Sequence, residues 1–215
     1  MTTKIQKVLF IYFSFTQQTQ RVVDAMAGVL RERGCDVSQA RIEFTDPRYA
    51  EIFSSFPMRG AILKLISMLP AQLRRATGQI RVPDVALDGE YDLVIIGSPT
   101  WWLTTNMPVR SFLKSDAANR LLKGKRFAAF VVCRRYWRQN LETVKHLGIG
   151  NGGEYVGGTH FTFAGGQITS LLSFISYMGS GTNKPRYLGV SIPPTNLKPD
   201  YLDGAHLFAN MLANL

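Results

Sequence analysis

Lys7 to Arg21 reads K-V-L-F-I-Y-F-S-F-T-Q-Q-T-Q-R, an apolar run that gives way abruptly to hydroxyls and amides. Val8 to Phe13 carries no charged or amide side chain, as expected of a central parallel strand covered on both faces by helices. Ser14, Thr16, Gln17, Gln18 and Thr19 follow, and they lead into a helical pattern with Val22, Val23, Met26, Ala27 and Leu30 on one face. A loop so placed aims backbone N–H groups and the positive end of a helix at whatever sits above the sheet edge, which favours a phosphate. Neither G-x-x-x-x-G-K-S/T nor G-x-G-x-x-G occurs here, which excludes a nucleoside triphosphatase loop and a dinucleotide fingerprint at this position.

Working outward, 215 residues with 46% hydrophobic and 19% charged content can close one sizeable core without disulfides or metal, so a single domain over 1–215 is expected. Cys35 and Cys133 form no disulfide framework, and no His or Cys pair has metal-ligand spacing. No signal-like stretch precedes the first strand and no run approaches the roughly 20 apolar residues of a spanning helix, so a cytoplasmic protein, in some settings peripheral to the inner face of the membrane, is expected. Lys and Arg number 25 against 15 Asp and Glu, a formal charge of +10 that attracts polyanions or an anionic membrane. The aromatics fit no nucleic-acid module, which argues against specific nucleic-acid binding.

The first helix should close at Gly34, and Asp36 to Ile42 follows as a second strand near the sheet edge. Residues 47–80 are too long for a loop and rich in helix formers. Ile62, Leu65, Ile66, Leu69 and Leu73 repeat at helical spacing, among Arg48, Arg59, Lys64, Arg74 and Arg75. This is an inserted, basic, amphipathic helical segment broken at Pro70; a helix simply packed on the sheet is the alternative. Alternation resumes with a strand at Leu93 to Ile96, and Gly97-Ser98-Pro99-Thr100-Trp101-Trp102 turns off its carboxyl end. Asn106 can cap the next helix and Pro108 suits its first turn. Phe127 to Cys133 is a fourth buried strand ending in Arg134-Arg135-Tyr136-Trp137-Arg138, Asn140 to Leu147 a short helix, and Glu154 to Phe163 the fifth strand.

Gly148-Ile149-Gly150-Asn151-Gly152-Gly153 satisfies the letters of G-x-G-x-x-G, but a helix precedes it and a strand follows, the reverse of what a dinucleotide site needs. A second insertion, 164–194, carries an apolar stripe of Ile168, Leu171, Leu172, Ile175 and Met178 opposite Thr169, Ser170, Ser173 and Ser176. A final helix starts near Pro199 and Asp200, with Leu207, Phe208, Met211 and Leu212 expected on the sheet. Parallel strands with crossover helices bind ligands above their carboxyl ends, where three loops now gather.

Those loops carry a resemblance. The first strand with S-F-T-Q-Q-T, then Y-D-L-V-I-I-G-S-P-T-W-W followed by M-P and F-L, then an aromatic loop after the fourth strand, resemble the flavodoxin-like family of FMN-binding proteins over most of the chain outside the two insertions. The resemblance implies an α/β fold: a doubly wound, five-stranded parallel sheet in the order 2-1-3-4-5, with helical insertions after strands 2 and 5. It implies FMN as cofactor, its phosphate held by Ser14, Thr16 and Thr19 with the backbone of Gln17 and Gln18. Gln17 stands where the family pattern has glycine. Ser98, Pro99, Thr100, Trp101 and Trp102 match the loop flanking the flavin ring, with Trp101 or Trp102 covering it, and Arg134, Tyr136 and Trp137 occupy the place of the third flavin loop.

The insertion after the fifth strand is similar in placement to that of flavodoxin-like protoporphyrinogen oxidases, and NAD(P)H-dependent quinone and flavin reductases of the same fold are equally compatible. Two functions follow from the resemblance. One is an oxidoreductase acting on a quinone-like or other apolar small molecule, with peripheral contact to an anionic membrane; the other is an electron carrier serving a redox partner. A homodimer is left open. The two indoles have core packing as their competing use, the arginines a solvated surface role, and Cys133 is expected to be a buried thiol.

Overall fold

The computed structural model describes residues 5–53, 56–58 and 60–215. Residues 1–4 and Arg59, counted above in the N-terminus and in the basic first insertion, lie outside the described residues. Five strands carry the sheet: β1 Lys7–Tyr12, β2 Asp36–Arg41, β3 Leu93–Trp101, β4 Arg126–Cys133 and β5 Glu154–Thr162. All pair in parallel in the order β2-β1-β3-β4-β5, as the resemblance implies. The period of two along β1 divides its side chains between two cores. Val8 and Phe10 face α1 (Gln18–Glu32), and Leu9 and Ile11 face the opposite layer.

That opposite layer contains α4 (Met107–Leu113), α5 (Asp116–Leu122) and α6 (Trp137–Gly150), reached after α2 (Ala61–Ser67) and α3 (Leu69–Leu73) of the first insertion. Following β5 come α7 (Gln167–Ser180), in the second insertion, and α8 (Tyr201–Ala213), which packs beside α1. The punctuation foreseen from sequence is in place. Gly34 adopts φ 85° where α1 ends, and the Asn106 side chain accepts from the Val109 N–H at 3.0 Å, capping α4 with Pro108 in its first turn. Gly148 and Gly150 lie in the last turn of α6, so the G-x-G-x-x-G letters close a helix rather than open one.

The structure departs from the sequence reading in four places. Strand β3 does not stop at Ile96. It runs through Ser98, Pro99, Thr100 and Trp101, then returns as Thr104–Thr105 in a tight antiparallel hairpin, so the turn itself is Trp102-Leu103. Helix α6 begins at Trp137 rather than Asn140. In α8, Phe208 and Leu212 are buried as expected, whereas Leu207 and Met211 face outward. Finally, the first insertion packs on the second as well as on the hairpin of β3: Met58 and Ala61 are buried with Met178, and the Met58 N–H donates to the Met178 carbonyl at 2.7 Å. Together the insertions build a wall above one edge of the sheet.

The helices of that wall are polarised in an unusual sense. In α7 the serines point in: Ser170, Ser173 and Ser176 are buried, and Ser173 meets the Thr195 hydroxyl at 2.5 Å. Ile168, at 75%, and Leu171 on the aliphatic side are exposed. In α2 only Ala61 is buried, leaving Ile62, Leu63 and Ile66 exposed. Among the described residues no helix is long and apolar enough to cross a membrane.

Candidate functional site

The carboxyl ends of β1, β3 and β4 and the two insertions enclose a cleft of about 550 Å³, within the range of small-molecule sites of roughly 300–1,000 Å³. Its walls are largely aliphatic and aromatic, and Arg134 and Arg135 are the charged residues among them. No cluster of potential metal ligands occurs among the described residues.

At the floor, Thr16, Gln18 and Thr19 line the cleft where β1 hands over to α1. Gln17 is the residue before the helix and takes a left-handed conformation, φ 60° and ψ 3°. A glycine would adopt it freely; a glutamine does so at a cost of roughly 1–2 kcal/mol, so the loop keeps a glycine-like turn without the glycine. The Gln17 side chain does not cap α1, and the Gln20 N–H is taken by the Ser14 hydroxyl, so the Gln18 and Thr19 N–H groups are the first-turn amides left for solvent or a bound anion. Ser14 does not line the cleft. It is buried behind the loop, where its carbonyl accepts from Arg41 and its hydroxyl from the Gln20 N–H at 3.4 Å.

The second side is the β3 hairpin. Pro99, Thr100, Trp101 and Trp102 line the cleft. Trp101 packs parallel to Phe53 at 5.2 Å and edge-on to Phe13 at 5.5 Å, which ties its indole into an aromatic cluster. Trp102 is exposed at the tip. Both turn residues have positive φ, 46° at Trp102 and 69° at Leu103, in a two-residue hairpin turn whose usual occupants are Asn and Gly. Backbone strain of this kind gathers at functional sites. Ser98 lies below, out of the cleft, in a buried knot. Its hydroxyl donates to Asn140 Oδ1 at 3.0 Å and accepts from Asn106 Nδ2 at 3.0 Å, and Asn140 Nδ2 donates to the Thr100 hydroxyl at 2.9 Å.

From the third side come Arg134 and Tyr136. The Arg134 guanidinium lies 4.6 Å from the Phe163 ring and 4.8 Å from the Phe174 ring, and it donates to the Ser170 carbonyl at 2.6 Å and to the Ser170 hydroxyl. Burial pulls its pKa down to about 10, so it stays charged at neutral pH, with no carboxylate paired to it among the described residues. Beside it, burial pushes the Cys133 thiol up to about 12, which makes it inert as a nucleophile. Tyr136 is exposed at the mouth, its hydroxyl 3.4 Å from Gln167 Oε1. Trp137 is not at the cleft. It stacks on His160 at 4.0 Å, and burial, then Lys198 and Arg138, lower the pKa of that histidine.

Two residues that the sequence reading missed hold the hairpin from behind. Gln72, fully buried in α3, donates to the Trp101 carbonyl at 3.1 Å and the Thr105 carbonyl at 2.7 Å, so the first insertion grips both arms. Arg110, also buried, donates to the Thr105 carbonyl and to the Ala76 carbonyl at 2.9 Å. The only local sign of Gln72 was an amide beside the Leu69 and Leu73 stripe; Arg110 carried none.

No protein-family model matches the chain, and no curated protein sequence matches it significantly. Solved structures do. Flavodoxin 1 of Bacillus cereus is similar over 97% of this chain and 98% of its own, with 16% identity and a TM-score of 0.52. A flavodoxin from the domain Archaea is similar over 97% of both chains, with 10% identity and a TM-score of 0.54. A Lactobacillus acidophilus flavoprotein in complex with FMN covers 72% of this chain and 93% of its own, at 16% identity and a TM-score of 0.51. Identities this low speak to architecture alone, and the architecture, in strand order as in the helices that flank the sheet, is the flavodoxin-like fold.

Proposed function

We propose that this chain is an FMN-binding flavoprotein that passes electrons or hydride to an apolar, quinone-like acceptor. The observation that carries the reading is the junction of β1 and α1. There the first amides of α1, a left-handed Gln17 and the Thr16 and Thr19 side chains meet at the floor of an apolar cleft. These groups suit a phosphate monoester, and the cleft suits a flat aromatic ring system attached to it.

On this reading the backbone of Gln17 to Thr19 and the hydroxyls of Thr16 and Thr19 bind the phosphate. Trp102 and Tyr136, the aromatic side chains exposed at the mouth, flank the ring, while Trp101 shapes the wall through Phe13 and Phe53. FMN, when bound, supplies the hydride and electron chemistry. Arg134 contributes a fixed positive charge to the wall, which favours an electron-rich ligand there. The aliphatic surfaces of α2, α3 and α7 exclude water and accept an apolar partner.

The flavodoxins among the structural neighbours favour a second reading, a carrier without a small-molecule substrate of its own. A carrier has no use for a deep apolar cleft walled by two insertions, which places it second. FMN titrated into the protein should lose its fluorescence, and Thr16→Glu should weaken that binding sharply by setting a carboxylate against the phosphate, with riboflavin affected less. Absence of quenching by the wild type overturns the assignment. Oxidation of the reduced, loaded protein by a short-chain quinone then separates the readings: rapid turnover supports the enzyme, inertness the carrier.

A further inference from the structure

We infer that the mouth of the cleft is a docking face for an anionic lipid bilayer, so that an apolar partner enters the cleft from the membrane without crossing water. The inference rests on the apolar-acceptor reading above for its purpose, but on separate observations for its evidence.

The first observation is the inverted polarity of the insertion helices. A helix packed on its own protein turns its aliphatic side inward and its serines outward; α7 instead buries Ser170, Ser173 and Ser176, exposes Ile168 and Leu171, leaves Leu172 and Ile175 half-buried, and of its aliphatic stripe encloses Met178 alone. Helix α2 likewise exposes Ile62, Leu63 and Ile66, with Leu63 at 76%. Because Ile62, Ile66, Leu171, Trp102 and Leu103 are both exposed and part of the cleft lining, they ring its opening. Apolar side chains concentrated in this way around one opening mark an interaction site.

The second observation is charge. Every residue lining the cleft belongs to a stretch free of Asp and Glu: residues 1–23, 52–83, 93–115, 117–141 and 155–199 contain none. The exposed charged groups in or next to the lining are Arg74, Arg75 and Arg135. Aliphatic side chains in front with cations beside them is the pattern by which interfacial helices hold anionic lipid. The third observation is the hairpin tip, where Trp102 and Leu103 project in a strained turn gripped from behind by Gln72. An indole at the end of a rigid hairpin suits the headgroup boundary. An acidic protein would satisfy the cations alone. A bilayer satisfies both the cations and the aliphatic ring, and it is continuous with the apolar interior of the cleft.

The test is co-sedimentation of the full chain with phosphatidylcholine vesicles, with and without added phosphatidylglycerol. Binding should rise with the anionic lipid and fall with salt. Leu63→Glu combined with Ile168→Glu should lower partitioning about tenfold or more, and Arg74→Gln combined with Arg75→Gln by about fivefold for each charge removed. Leu63 and Ile168 lie outside the cleft lining, and both are exposed, so the double variant should keep its circular dichroism and melting temperature. No sedimentation of the wild type with anionic vesicles overturns the inference, as does a dimer that the glutamate variant dissolves in the absence of vesicle binding. Flavin fluorescence on the same samples separates the two proposals: vesicle binding without flavin quenching leaves the docking face and removes the FMN reading, and the converse does the opposite.

Discussion

The sheet and the wall above it follow opposite rules. In the sheet, Leu9, Ile11, Val94, Ile96 and Phe130 are fully buried, and the covering helices set apolar side chains against them, such as Val22, Val23 and Met26 of α1 and Val109 and Phe112 of α4. In the wall, Ser170, Ser173 and Ser176 are buried while Ile62, Leu63, Ile66, Leu73, Ile168 and Leu171 face out. Burial of an apolar side chain is worth about 1.5–3 kcal/mol, so the sheet holds the stability of the molecule, and the wall forgoes part of what its composition offers. Regions that forgo burial on one face are those with another use for it.

The sharpest way to break this comparison is a matched pair of substitutions. Phe130→Ala empties a fully enclosed position between β3 and β5 and should cost about 3–5 kcal/mol in urea unfolding. Ile168→Glu, a harsher chemical change, should stay within about 0.5 kcal/mol of wild type because its side chain is already in solvent. Equal losses would mean that the α7 stripe is core after all.

A smaller effect concerns the neck of the first insertion. Asp46 accepts from the Arg48 N–H at 3.0 Å, from Arg48 Nε at 2.9 Å and from the Gln79 N–H at 3.0 Å, joining the start of the insertion to its end. Hydrogen bonds from Arg48, followed by those of the backbone amides, hold its carboxyl at about 2, below the unfolded value. The stabilisation is therefore complete above about pH 4 and lost as pH falls through about 2. Because Arg48 is largely in solvent, the loss should be about 1 kcal/mol. Limited proteolysis within the insertion should rise over that window, and Asp46→Asn should be equally open on both sides of it; an insertion that stays closed in acid would show that packing on α7 alone holds it.

The smallest effect is at the floor of the cleft. Gln17→Gly removes the left-handed penalty but frees the unfolded chain, so a gain of a few tenths to about 1 kcal/mol is expected, read as a higher melting temperature. A loss instead would assign the glutamine side chain a role that its exposed position does not suggest.

How much was legible follows from where each signal lies. The strands and the three loops were readable because a buried parallel strand is a continuous apolar word and its loop chemistry is local, as Val8 to Phe13 and Ser14 to Thr19 demonstrate, whereas the strand order came only with the family resemblance. The hairpin was not, since Trp102-Leu103 lacks the Asn-Gly signature and its turn is held by Gln72 from α3, about thirty residues earlier in the chain. Trp137 looked like a site aromatic because it follows Tyr136, yet its partner is His160 on the neighbouring strand. The stripe of α7 was visible as a stripe; which side faced the protein depended on Thr195 and Met58, which no helical period can reveal.

The Trp102-Leu103 turn also sets a limit on improving this protein. Each left-handed residue there costs roughly 1–2 kcal/mol that Asn-Gly would recover, so Trp102→Asn with Leu103→Gly is the kind of change a search for thermostable variants would select first. It would also erase the indole and the isobutyl group at the tip. Selection for heat resistance and selection for performance thus pull in opposite directions at two adjacent codons, and a library screened on stability alone would discard the feature that sets this hairpin apart.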